Sequence, residues 1–274
     1  MTQDILLRNN VRILGDGTQP MLFAHGFGCD QNMWRFMTSY FRDDYKIVLF
    51  DYVGSGKSDL SAYTPQRYGS LDGYAQDVLD ICEALDLHDV IFVGHSVSSM
   101  IGVLAAIREP EYFDRLILVG PSPRYINDLP DYLGGFERVD IEGLLDVMDK
   151  NYLGWASYIA PVIMKNPGRP ELSAELEQSF CSTDPGTARG FAEVTFFSDN
   201  RDDLPNLIIP SLILQCSDDA IAPLEVGDYL HRHLAHSTLR VLRATGHCPH
   251  MSHPEETVEA IKAYLGSAAA IPAT

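Results

Sequence analysis

Hydrophobic positions along this chain follow two rhythms, and the rhythm changes twice. In the first half, short apolar runs alternate with longer stretches of helical period. The candidate strands are Ile5 to Leu7, Val11 to Leu14, Met21 to Ala24, Lys46 to Phe50, Val90 to Val93 and Leu116 to Val119. Val90-Ile91-Phe92-Val93 and Ile117-Leu118-Val119 are apolar throughout, as expected of central strands covered on both faces. Between strands, Leu71, Tyr74, Val78, Ile81 and Leu85 recur at helical spacing, with Ser70 placed to cap the start. This alternation predicts βαβ units, hence an α/β fold around a mostly parallel central sheet flanked by helices.

From 127 to 198 the strand-like runs vanish. Helical patterns such as Ile141, Leu144, Leu145 and Met148 follow one another, punctuated by Pro161, Pro167 and Pro170. In Asp184-Pro185 the Asp is set to cap a helix and the Pro to occupy its first position. After Pro210 the alternation resumes, with strands Ser211 to Gln215 and Thr238 to Leu242 around a helix Leu224 to Leu234. A last helix opens at Pro254 and runs to Leu265. The chain thus divides into a core over 1–126 and 199–266, a helical insert over 127–198, and a frayed tail over 267–274.

Composition narrows the class. Lys and Arg number 20 against 38 Asp and Glu, a formal charge of −18 over 274 residues. A surface of that sign repels phosphates, which excludes a binder of nucleic acid or of an anionic membrane. The 46% hydrophobic share with 21% charged residues is that of a folded globular protein. No run reaches the length of a membrane-spanning helix, and the N-terminus lacks the pattern of a secretory signal. Five scattered cysteines without a C-x-x-C pair are expected to be reduced thiols in a cytoplasmic protein. Seven acidic residues and one Arg between Asn127 and Asp149 put part of the charge on the insert, disfavouring anionic substrates.

Two motifs mislead. Gly54-Ser55-Gly56-Lys57-Ser58 ends like a phosphate loop, but the wrapping glycine of that loop would fall on Asp51, whose carboxylate repels phosphate. His231, His233 and His236, and separately His247, Cys248, His250 and His253, could suggest metal. The first set sits at a helix end, and Pro249 and Pro254 break the spacing of the second, so no metal is expected.

Gly-x-Ser occurs three times, at Ser58, Ser96 and Ser122. Only Ser96 directly follows a fully apolar strand and directly precedes a helix pattern, Val97 to Ile107. A sharp strand-to-helix turn there exposes a hydroxyl beside helix N-terminal N–H groups, which suits a nucleophile. The usual pattern continues x-Gly, where this chain has Ser98. A serine nucleophile needs a base and an orienting acid. His247, in the Gly-His turn Gly246-His247, is the expected base. Asp219, at a strand end and four residues before Pro223, is the favoured orienter, with Asp218 as its solvated neighbour. The glycine-flanked loop His25-Gly26-Phe27-Gly28 follows a strand, so the backbone N–H groups of Phe27 and Val97 are the expected oxyanion donors.

Taken together, His25-Gly-Phe-Gly28, Asp51 to Ser58, Gly94-His-Ser-Val97, Asp219 and Gly246-His247 resemble the α/β-hydrolase superfamily. Phe50 to Gly56, Leu71 to Asp77, Phe180 to Pro185 and Gly246 to Pro254 resemble its RsbQ-like branch of bacterial stress-signalling hydrolases, related to plant karrikin and strigolactone receptors. The resemblance implies an α/β-hydrolase fold with a four-helix lid over a small apolar cavity, into which Phe27, Phe136, Trp155, Phe196 and Phe197 would face. The expected activity is serine hydrolysis of a small hydrophobic ester or lactone, of butenolide type by resemblance alone, with no cofactor. The alternative is a ligand-gated signalling protein with slow turnover that acts through a protein partner. A third reading keeps the fold but turns it to C–C hydrolysis or cofactor-free perhydrolysis.

Overall fold

The computed structural model describes residues 2–268. In chain order it contains α1 (Thr2–Arg8), β1 (Arg12–Leu14), β2 (Pro20–Ala24), α2 (Arg35–Thr38), β3 (Lys46–Leu49), α3 (Pro65–Tyr68) and α4 (Leu71–Ala84). Next come β4 (Val90–His95), α5 (Val97–Arg108) and β5 (Phe113–Val119). Four helices follow: α6 (Arg138–Lys150), α7 (Tyr152–Met164), α8 (Pro170–Ser182) and α9 (Pro185–Phe196). Then β6 (Ser211–Asp218), α10 (Leu224–His233), β7 (Ser237–Thr245), α11 (Pro249–Ser252) and α12 (Pro254–Ala268) complete the described chain. The strands form one sheet in the order β1-β3-β2-β4-β5-β6-β7, parallel except that β1 runs against β3. Among the described residues, no helix is long and apolar enough to cross a membrane.

The continuous apolar runs work because a strand sends alternate side chains to opposite faces. Met21, Phe23, Ile91, Val93, Ile117 and Val119 enter one buried cluster. Their neighbours Leu22, Ala24, Val90, Phe92, Leu116 and Leu118 enter the other. The first cluster continues into Ile141, Leu145, Trp155, Ile159, Leu176 and Phe180 of α6, α7 and α8. The helices between β5 and β6 therefore share one apolar layer with the sheet.

Several local expectations change. Ile5 to Leu7 lies in α1, not in a strand, and Leu7 is 70% exposed. The helix is held from its end, where Arg8 reaches Asp77 at 3.1 Å and Asp80 at 2.9 Å on α4. Leucine suits a helix as well as a strand, so this tertiary anchor decides. Ser70 occupies the N-cap of α4, but its hydroxyl bonds Asp72 rather than a backbone N–H. Pro161 lies inside α7 instead of breaking it. Pro161 and Ser157, whose carbonyl loses its helical donor, are both exposed, so water can take that donor's place. Asp184 does cap α9, accepting from Thr187 N–H at 3.0 Å, with Pro185 at the first position. The last helix runs past Leu265 to Ala268, so 267–268 are helical, and 269–274, the rest of the expected tail, lie outside the described residues.

His250, on α11, is fully buried, its ring 4.6 Å from that of Trp34 and 4.4 Å from that of His95. Among the described residues, neither ring nitrogen has a hydrogen-bond partner. Burial disfavours the imidazolium most, helped by His247 and Arg35, and takes its pKa from 6.5 down to about 3. The unfolded chain therefore takes up the proton first as pH falls. The folded state loses no stability from this group above pH 6.5 and loses it progressively from 6.5 towards 3, at roughly 1.4 kcal/mol per pH unit. Urea titrations across that window should show a shallower acid slope for His250→Phe than for wild type. Equal slopes would place the acid sensitivity elsewhere.

Candidate active site

Ser96 alone joins β4 to α5, and its backbone takes φ 57° and ψ −124°, a region that residues with a Cβ rarely adopt. Such a conformation persists only where its surroundings hold it. Ser96 N–H donates to the Val119 carbonyl at 2.8 Å, and the Ser96 carbonyl accepts from Ser99 N–H at 2.9 Å. The turn is tight enough that a Cβ on Gly94 would stand 2.7 Å from the Ser98 carbonyl. Ser98, where the usual pattern has glycine, is fully buried, and its hydroxyl is used. It donates to the His25 carbonyl and lies 3.1 Å from the Tyr52 hydroxyl. Tyr52 N–H in turn donates to His25 Nε2 at 3.2 Å, which leaves the proton on Nδ1 to donate to the Gly26 carbonyl at 2.9 Å. This network ties the start of α5 to the loop that carries Phe27. Among the described residues, no hydrogen bond takes up the N–H groups of Phe27 and Val97.

His247 stands between Ser96 and Asp219. Its Nε2 lies 2.7 Å from Ser96 Oγ, and its Nδ1 lies 2.7 Å from Asp219 Oδ2. All three residues are buried. The second carboxylate oxygen of Asp219 accepts from Ile221 and Ala222 N–H at 2.8 and 3.2 Å, so both oxygens are engaged. Asp218 points the other way and pairs with Lys165 at 2.6 Å. A carboxylate at Nδ1 holds that proton and leaves the Nε2 lone pair facing the serine hydroxyl.

The backbone of His247 is seated as firmly as its ring. Gly246 has φ 80°, and a Cβ there would come within 1.9 Å of the Met164 carbonyl, so only glycine fits. His247 N–H donates to the Ile163 carbonyl of α7 at 2.8 Å. Its own carbonyl accepts from His95 Nε2 at 2.8 Å.

Above Ser96 is a narrow cavity of about 30 Å³. Phe27 and Phe196, both expected to face it, do line it. Among the described residues its lining does not include Trp155, Phe136 or Phe197. Trp155 packs on Phe27, ring centres 6.1 Å apart, and Phe136 on Phe196 at 6.5 Å. Phe197 lines a separate outer cleft, with the Arg138 guanidinium 5.0 Å from its ring centre. The wall also holds Tyr125, Ile163, Leu176, Phe180, Thr195 and Ile221, none of which the sequence singles out for this role. They come from five separated segments, and only Phe180 lies in a motif, which carries no direction. The Tyr125 hydroxyl is 3.5 Å from Ser96 Oγ.

Other candidate groups serve packing. Asp51 closes its own loop, accepting from the N–H groups of Gln31 and Lys57, each at 2.9 Å, and from Asn10 Nδ2 at 2.7 Å. His233 stacks on Tyr229 and bonds its carbonyl at 2.7 Å. Within the described residues the grouping nearest to a metal set is His95, Cys248 and His250, with ligand atoms within 4.8 Å of one another. There His95 Nε2 is committed to the His247 carbonyl, and burial holds the Cys248 thiol protonated. Cys29, also in the cavity wall, is pushed up by burial and by Asp30, so neither thiol competes with Ser96 as a nucleophile.

Known proteins share this architecture. A hydrolase of known structure from Oleispira antarctica superposes with a TM-score of 0.95 at 45% identity, covering 97% of both chains. Karrikin insensitive 2 receptor CA of Petunia hybrida is 38% identical over 258 residues, which is 94% of this chain and 95% of that protein. Strigolactone esterase D14 of Arabidopsis thaliana is 36% identical over 263 residues, covering 96% and 98%. The model of the alpha/beta hydrolase family matches residues 21–260, and with these relatives it shows that the chain belongs to that family.

Proposed function

We propose that this chain hydrolyses a small, mostly apolar ester or lactone by covalent catalysis at Ser96. The observation that carries this is the imidazole of His247 held 2.7 Å from both Ser96 and Asp219. In the reaction, Ser96 Oγ attacks the carbonyl carbon as its proton passes to His247 Nε2. The carbonyl oxygen becomes an oxyanion that accepts from the N–H groups of Phe27 and Val97, each typically contributing about 3 kcal/mol to the transition state. Asp219 stabilises the imidazolium. Collapse breaks the C–O bond, the leaving oxygen takes the proton from His247, and an acyl group remains on Ser96. Water then attacks that acyl group, with His247 again as base, and releases the acid.

Helices α6 to α9, within 127–198, act in this scheme as a lid over the core formed by 1–126 and 199–266. The closed cavity is narrow, so a butenolide-sized ligand enters only with lid movement. Free thiols at all five cysteines suit a reducing, cytoplasmic setting. A serine-directed fluorophosphonate should label wild type and spare Ser96→Ala, and Asp219→Asn should lower kcat by roughly 10⁴-fold while retaining the label slowly. Equal labelling of wild type and Ser96→Ala would sink the nucleophile assignment.

A second reading, a ligand-gated signalling protein acting through a protein partner, is favoured by one contact. The Ile163 carbonyl of the lid accepts the His247 backbone N–H, so a change at the base reaches the outer helices directly. Product release from a p-nitrophenyl ester separates the two readings. Linear turnover supports the hydrolase, whereas a burst of one product per chain followed by near arrest supports signalling.

A further inference from the structure

We propose that Thr195 forms a recognition subsite for a second oxygen of the substrate, an ether or carbonyl acceptor on the skeleton beside the scissile carbonyl. The subsite rests on the reading of Ser96 as the nucleophile of this cavity. Thr195 lies in the last turn of α9, is 1% exposed, and its Oγ1 has no hydrogen-bond partner among the described residues. A helical threonine ordinarily spends its hydroxyl on a carbonyl about one turn back. Thr187 of the same helix does so, bonding the Asp184 carbonyl at 3.0 Å and the Gly54 carbonyl at 3.3 Å. Thr195 leaves that option unused, and an unmet buried hydroxyl is costly unless something else meets it.

The something else is not in the protein wall. Thr195 lines the cavity above Ser96, where its neighbours Phe27, Ile163, Phe180, Phe196 and Ile221 have no polar side-chain atoms. Among the described residues, no polar group of the wall bonds Thr195 Oγ1. Ser96 and His247 bond each other, and the Tyr125 hydroxyl faces Ser96. His95 gives its Nε2 proton to the His247 carbonyl; its Nδ1 is a buried acceptor without a partner among the described residues, and Gly26 crowds it, 2.5 Å from where a Cβ there would stand. Cys29 and Cys248 offer only weak thiol bonds. A ligand group is what remains.

The donor count chooses its chemistry. Thr195 brings one O–H, and an ether or carbonyl oxygen satisfies it without adding a donor of its own. A ligand hydroxyl that donated to Oγ1 would leave the threonine proton unmet in an apolar wall. A cavity with one placed polar group in an apolar lining fixes orientation, and a site built to bond an oxygen discriminates against the hydrocarbon that lacks it.

Two matched substrate pairs test this: p-nitrophenyl methoxyacetate against butanoate, and 3-methoxypropanoate against pentanoate. Each pair differs by an ether oxygen in place of a methylene, so intrinsic reactivity cancels when variants are compared. Thr195→Val keeps the shape and removes the hydroxyl. We expect the ether-to-hydrocarbon ratio of kcat/KM to fall about tenfold in at least one pair, with Thr195→Ser retaining the wild-type ratio. Fluorophosphonate should still label Ser96 in both variants, which shows that the nucleophile is intact. Unchanged ratios in both pairs, with Ser96 still labelled, would overturn the subsite and leave the nucleophile standing. Absence of Ser96 labelling in wild type would remove the nucleophile reading and the subsite with it. Should Thr195→Val fail to fold, Thr195→Ala answers the same question, since each ratio is internal to one variant.

Discussion

Everything around the site converges on the seating of one residue. His247 uses its ring nitrogens on Ser96 and Asp219, its backbone N–H on Ile163 of α7, and its carbonyl on His95 of β4. Three separate parts of the chain, 95–96, 163 and 219, therefore fix one imidazole. A single loose anchor would let the ring turn, and misplacement by an ångström is enough to forfeit most of the benefit of holding reactants in position. The glycine at 246 follows from the same constraint, since the approach of the Met164 carbonyl leaves no room for a Cβ.

The serine is held by strain rather than by freedom. Its left-handed turn is braced by β5 on one side and by α5 on the other, while Ser98 links that turn to the loop carrying Phe27. A hydroxyl in place of the usual glycine hydrogen thus acts as a tether. Helices α6 to α9 complete the enclosure by sharing an apolar layer with the sheet, so the cavity is narrow because these helices and the sheet are one packed body.

Much of this was legible in the chain itself. Unbroken apolar runs announce strands buried on both faces, while the order Ser, Asp, His is the one that the α/β-hydrolase resemblance implies. Asp219 is favoured in the sequence by lying four residues before Pro223, as suits a loop into the next helix, and it is the one of the two carboxylates that meets His247, while Asp218 meets Lys165. The cavity wall was not legible. Trp155, Phe136 and Phe197 carry the same aromatic signal as Phe27 and Phe196, and only three-dimensional packing decides which rings meet the cavity and which stand behind it. Ile5 to Leu7 misled for a related reason, because an ion pair 69 residues away in sequence decides its conformation. The acidic surplus is met on the insert partly by its own arginines, as where Arg189 pairs with Asp149 at 3.1 Å.

The seating of His247 is most directly read by the ¹⁵N resonances of its ring near neutral pH, assigned by difference with His247→Gln. A protonated Nδ1 and a bare Nε2 are the predicted result, with the Nδ1 proton shifted far downfield by the Asp219 carboxylate. A proton on Nε2 instead, with Nδ1 bare, would contradict the placement of the base between serine and acid.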